Sequence, residues 1–237
     1  MEKLQDTAIE KDASFESTMA APMQRRMFMR YVGATAALTT LIFATTSCDE
    51  DGDDMPRDPN TVDLGSGDTG ILNYAYALEQ LEAAFYAEVV AKSLGLFNQT
   101  EQQIMQDIKG HEGIHRDFLK AALGSSAIPD LEVNFSTINF NDKNNILTTA
   151  RTFEDLGVAA YNGAGKYLEN AGFLTLAGKI VSVEARHAAV IRDLISNGTF
   201  SDSASTQGLD PAMMPADVLA AASAFIKTKI SANNLPK

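Results

Sequence analysis

Two of the three histidines in this chain stand three residues after a glutamate, in Glu112-Gly113-Ile114-His115 and Glu184-Ala185-Arg186-His187. Positions three apart share one face of an α-helix, so each motif can aim a carboxylate and an imidazole at the same point. Two such motifs, joined by one Glu from each of two further helices, make the donor set of a dinuclear iron or manganese centre in a four-helix bundle. Oxygen from carboxylates and nitrogen from imidazoles suit iron or manganese better than Cu(I) or a thiolate zinc site. Four carboxylates facing an apolar interior demand cations, and two divalent ions balance four Glu charge for charge.

Four helices are legible around these motifs. Asp68 reads as the N-cap of a first helix from Ile71 to about Leu94, ended by Gly95. Thr100 and Gln103 have the spacing of a capping box opening a second helix to about Leu123, stopped by Gly124. Residues 124–141 lack helical period and contain Pro129. Asp142 or Asn141 caps a third helix that runs to about Asn170, and a fourth runs from about Leu174 to Asn197-Gly198. Ala216 to about Ser231 reads as a shorter fifth helix with Val218, Leu219, Ala222, Phe225 and Ile226 on its docking face. Short links within each pair make antiparallel hairpins, and the long link between helices two and three is long enough to cross the bundle. The expected fold is all-α: a four-helix bundle with a long crossover between helices two and three, plus a short C-terminal helix.

An internal repeat selects the remaining ligands. Aligned without gaps, the segments around 77–86 and 152–161 superpose Glu79 on Glu154, Leu81 on Leu156 and Tyr86 on Tyr161, while Glu82 falls opposite Gly157. Equivalent halves supply equivalent ligands, so Glu79 rather than Glu82 is the partner of Glu154. Each tyrosine lies two turns after its glutamate and stays near the same face, placed to hydrogen-bond a ligand carboxylate. Glu82, Glu88 and His111 read as neighbours of the ligands or as solvated residues. Arg116, Arg186 and Arg192 lie close enough in sequence to pair with carboxylates.

The segments Leu78-Glu79-x-x-Glu82-Ala83-x-Phe85-Tyr86, Glu112-x-x-His115, Phe153-Glu154-Asp155-x-Gly157-Val158-Ala159-Ala160-Tyr161 and Glu184-Ala185-Arg186-His187 resemble the ferritin-like superfamily. The resemblance covers about residues 68–197. It is closest to exported bacterial ferritin-like domain proteins related to plant desiccation-related proteins. It implies a ferritin-like bundle with a centre of two Fe or two Mn ions. Glu112 and Glu184 would bridge, Glu79 and Glu154 would be terminal ligands, and His115 and His187 would bind one ion each. Such a centre reacts with O2, peroxide or Fe(II), which makes Tyr86 and Tyr161 candidate participants near the reaction. The alternative is a non-enzymatic envelope protein of the stress or desiccation type, with a structural or vestigial metal site. A monomer or homodimer is expected rather than a many-subunit cage.

Composition narrows the setting. The 237-residue chain is 45% hydrophobic with a net charge of -12, which suits one globular core and disfavours nucleic acid as a partner. A single Cys excludes an internal disulfide and the paired cysteines of a rubredoxin-type iron site, so a redox role would need a separate electron donor. Arg25-Arg26 followed by Phe28, an apolar stretch from Tyr31 to Phe43 and the small residues before Cys48 resemble a twin-arginine, lipoprotein-type export signal. Thr45 departs from that pattern, where an aliphatic residue is usual. The expected organisation is a signal peptide over 1–47, lipidation at Cys48, an acidic flexible tether over 48–67, the bundle over 68–198 and an extension over 199–237. The expected location is the bacterial cell envelope, periplasm or outer surface, on a lipid anchor.

Overall fold

The computed structural model describes residues 60–202 and 207–236 of the chain. Four long helices dominate it: α1 (Gly67–Lys92), α2 (Gln99–Leu123), α3 (Lys143–Ala164) and α4 (Ala171–Ile195). They pair as two hairpins, α1 with α2 and α3 with α4, and the hairpins meet through α1 against α3 and α2 against α4. A short helix, α5 (Pro215–Ala222), and two three-residue strands, β1 (Thr61–Asp63) and β2 (Lys229–Ser231), complete the described elements. None of the helices among the described residues is long and apolar enough to cross a membrane.

Polar caps set the starts of α2, α3 and α4, and they move several boundaries from their expected places. α2 opens at Asn98, whose side chain accepts from the Glu101 amide at 3.0 Å while Glu101 accepts from the Asn98 amide at 2.9 Å. The capping box is therefore two residues earlier than the Thr100/Gln103 pair, and Thr100 lies in the first turn. Asp142 caps α3 through the amides of Asn144 and Asn145. Asn170 caps α4 through Gly172 and Phe173, which places Gly172 inside the helix rather than before it. The cap bonds outweigh the weak helix propensity of one glycine. Because Asn170 must be non-helical to cap, α3 stops earlier than expected, at Ala164, and the chain turns within six residues. Asp68 is not a cap of its own helix. Its carboxylate accepts from the amides of Glu169 and Asn170, tying the start of α1 to the turn before α4.

The long connection from α2 to α3 lies along α1. Asn73 binds it at Ser126 and Ile128, Gln80 binds it at Leu131, and Ser93 binds it at Phe140. It thus crosses the length of the bundle, as the ferritin-like connectivity requires. This cover explains why α1 is buried on nearly every face from Gly70 to Ala83, its polar residues included. Phe85, with no exposure, gathers Phe135, Phe140 and Phe153 at one end of the core, and Phe153 in turn meets Phe225 edge-on at 4.8 Å. Full burial of such a ring contributes roughly 1.5–3 kcal/mol.

The C-terminal extension differs most from expectation. The expected fifth helix to Ser231 is only eight residues long, followed by a single turn and then β2. β2 pairs in parallel with β1, Thr61 opposite Lys229. Residues 61–66, read from the sequence as the end of the tether, are thus built into the fold, and Leu64 is fully buried. The extension also touches the crossover, where Asn134 donates to Phe225 and Lys227 donates to Glu132.

Candidate metal centre

Each long helix delivers its predicted residues to one place. Glu79 comes from α1, Glu112 and His115 from α2, Glu154 from α3, and Glu184 and His187 from α4. The four glutamates have no solvent exposure, and the two histidines have 8% and 4%. They form two overlapping groups, Glu79, Glu112, His115 and Glu184 in one and Glu112, Glu154, Glu184 and His187 in the other, each with its donor atoms within 4.8 Å of one another.

The atoms converge without bonding to each other. His115 Nδ1 lies 2.8 Å from Glu184 Oε1, and His187 Nδ1 lies 2.7 Å from Glu112 Oε1. By distance these are ion pairs, but the directions fail as hydrogen bonds. Eight donor atoms of the cluster are buried with no hydrogen-bond partner: both oxygens of Glu112 and of Glu184, one oxygen each of Glu79 and Glu154, and Nδ1 of both histidines. Buried polar atoms are satisfied in the great majority of cases, so eight orphans in one place define a cradle for cations.

The tyrosines account for the two oxygens that are not orphaned. Tyr161 donates to Glu79 Oε1 at 2.6 Å, and Tyr86 donates to Glu154 Oε1. Each half of the repeat therefore orients the glutamate of the other half. The division is informative: Glu79 and Glu154 offer one free oxygen each, whereas Glu112 and Glu184 offer two. Tyr161→Phe removes one orienting bond without altering the donor set. It is expected to weaken metal binding about tenfold while leaving the stoichiometry unchanged, the lower end of the usual effect of removing such a partner; calorimetric titration checks this.

Electrostatics follow the same geometry. Burial raises the carboxyls of Glu184 and Glu154, and raises Glu79 to about 7. Burial also opposes the Glu112 charge, but the two imidazoles outweigh it and hold that carboxyl at about 2. Burial likewise disfavours charge on the imidazoles, yet the surrounding carboxylates push His115 up to about 12 and His187 up to about 10.

A fifth carboxylate adjoins the set. Glu82 is 3% exposed, and burial followed by the charge of Glu184 raises its carboxyl well above the usual range, favouring the neutral form. The Gly157 that faces it in the repeat makes the space: a Cβ there would lie 3.0 Å from Glu82 Oε1 and 3.6 Å from Glu184 Oε2. The sequence alignment of Glu82 with Gly157 is therefore a packing match. Glu88 instead forms an exposed ion pair with Lys92. The three arginines pair away from the ligands: Arg116 with Asp117, Arg186 with Ser182 and Arg192 with Asp155.

His111, one turn before His115, touches the centre from outside, with Nδ1 2.9 Å from His187 Nε2. It lines a cavity of about 370 Å³ between α2 and α4 that also reaches His115, His187, Asp107 and Arg186.

The two cross-bonded helical hairpins form a bundle around a buried Glu/His cluster able to hold metal ions. The ferritin-like domain family matches residues 67–197, more than half of the chain, and the chain belongs to that family. No curated protein matches it.

Proposed function

We propose that this protein holds two iron or manganese ions between its four helices and uses them in redox chemistry with O2, peroxide or Fe(II) at the cell envelope. The observation that carries the reading is the set of eight orphaned, convergent donor atoms. Glu112 and Glu184, which belong to both groups and have two free oxygens each, would be shared by the two ions. Glu79 and Glu154, each with one oxygen committed to a tyrosine, would each hold one ion through the other oxygen. His115 and His187 would each hold one ion through Nδ1. When bound, such a pair supplies a reversible two-electron exchange. Around it, Tyr86 and Tyr161 fix the terminal carboxylates, and Glu82 places a carboxylic acid beside Glu184 without adding to the charge. The single Cys leaves electron delivery to a separate protein. The envelope location and the lipid anchor rest on the leader and Cys48, which lie outside the described residues.

The test is metal content of the purified full chain after anaerobic addition of Fe(II) or Mn(II), followed by O2 and peroxide consumption beside a Glu112→Ala control. Two ions per chain with consumption above the control is the expected result. Consumption equal to the control sinks the redox reading. A second reading is favoured by one observation, that the six ligands come from all four helices: the ions then act as a structural tie in a non-enzymatic envelope protein. In that case chelation lowers the melting temperature with no turnover.

A further inference from the structure

Besides Glu82 opposite Gly157, the repeat that relates the two halves is broken at a second place beside the centre. His111 stands four residues before His115 on α2; the position four residues before His187 on α4 is Val183. Both line the α2–α4 cavity. Across it, His111 Nδ1 lies 2.9 Å from His187 Nε2, with the rings 8° from parallel and their centroids 5.1 Å apart. That centroid separation is close to the longest a 2.9 Å contact allows. The two imidazoles are therefore edge to edge in nearly one plane, the direction an N–H···N bond requires. By the same relation His115 would look to residue 183 and finds a valine, and its Nε2 has no hydrogen-bonding protein partner among the described residues.

We propose that His111 is a positioning residue that makes the two metal positions unequal, with the His187 position the tighter. The inference rests on the dinuclear reading above. His187 can offer Nδ1 to a cation only when that nitrogen carries no proton, so its ring proton sits on Nε2. There it is donated to His111 Nδ1, and His111 keeps its own proton on Nε2. The bond fixes the tautomer and the ring plane of His187 and raises the basicity of its ligating nitrogen. Removal of such a partner typically lowers metal affinity 10- to 100-fold. His115 is held by packing and by its carboxylate neighbours alone, so the halves, equal in ligand type, differ in strength.

The experiment is anaerobic calorimetric titration of the metal-free full chain with Mn(II), comparing wild type with His111→Ala and His111→Gln. Wild type is expected to bind two ions in two resolved steps. His111→Ala is expected to weaken the tighter step about 10- to 100-fold and leave the weaker step in place. His111→Gln, whose amide oxygen can accept the His187 N–H, is expected to recover part of the loss, which simple removal of bulk would not explain. Two equal steps in wild type, or a His111→Ala titration that keeps the tighter step, would overturn the proposal while leaving the dinuclear reading intact. A wild-type protein that binds no ion overturns both. His111 is exposed on α2, and an unchanged circular dichroism melt of the two variants separates the effect from unfolding.

Discussion

Glu112→Ala is expected to empty both metal positions, whereas His115→Ala is expected to empty one. The difference follows from membership: Glu112 is in both donor groups and has two free oxygens, while His115 is in one group only. Loss of Glu112 takes a charge from both ions at once and removes the carboxylate 2.7 Å from His187. An ion left with fewer charged donors in an enclosed, carboxylate-built site loses both attraction and geometry. Metal analysis after gel filtration reads the outcome directly: from two ions per chain to none in Glu112→Ala, and from two to one in His115→Ala. If Glu112→Ala retained one ion as tightly as wild type, Glu112 would be a ligand of a single position and the bridging role would be wrong. Circular dichroism on both variants confirms that the helices persist.

The second large effect is on stability, at Gly163→Ala. A Cβ at this position of α3 would lie 1.8 Å from the Met213 carbonyl oxygen and 2.6 Å from its carbonyl carbon. Both are backbone atoms, held by the bond from the Met213 amide to the Ala159 carbonyl at 2.9 Å, so no rotamer change relieves the clash. Overpacking of this kind costs about 1–3 kcal/mol, which for a domain of this size is a fall of roughly 2–12 °C in melting temperature. The sign is the test, because the same substitution in an open helix position gains up to about 1 kcal/mol. Gly110→Ala on α2, where a Cβ would meet nothing within 4 Å, is the control and is expected to raise the melting temperature slightly. A Gly163→Ala variant as stable as Gly110→Ala would mean that the segment around Met213 does not dock on α3.

These two predictions separate what the sequence carries openly from what it hides. The six residues that converge in the buried cluster were legible because their chemistry is bound to helical spacing, and the repeat singled out Glu79, which lies in the cluster, over Glu82, which adjoins it. The cross-bonding of Tyr86 and Tyr161 was legible only in kind: the two-turn offset put each tyrosine near a carboxylate, but the exchange between halves depends on how the hairpins meet. Helix starts were misplaced wherever two capping residues competed, as at Asn98 against Thr100 and at Asn170 against the glycine that follows it. The C-terminal extension was the least legible part. Phe225 to Ser231 alternates Ile226, Thr228 and Ile230, a strand signal, but the adjoining Ala-rich stretch masked it with helical period. Its partner strand, at residues 61–63, sits beyond an acidic run that drew the tether reading over it. Contacts between distant segments, such as Met213 on Gly163, leave no local period at all.

The exchange of tyrosine bonds between hairpins has a consequence for when the protein can acquire metal. The α1–α2 hairpin alone has a Glu79 without its Tyr161, and the α3–α4 hairpin alone has a Glu154 without its Tyr86. Neither can assemble a complete donor group, since each group takes ligands from both. On the metal-binding reading, capture would thus be a late event, gated by the docking of the two hairpins, and a bound ion would certify a finished fold. The same rule applies between molecules. If two copies traded hairpins through the long crossover, the pair would contain two intact centres, each built from both chains, indistinguishable in metal content from two separate molecules.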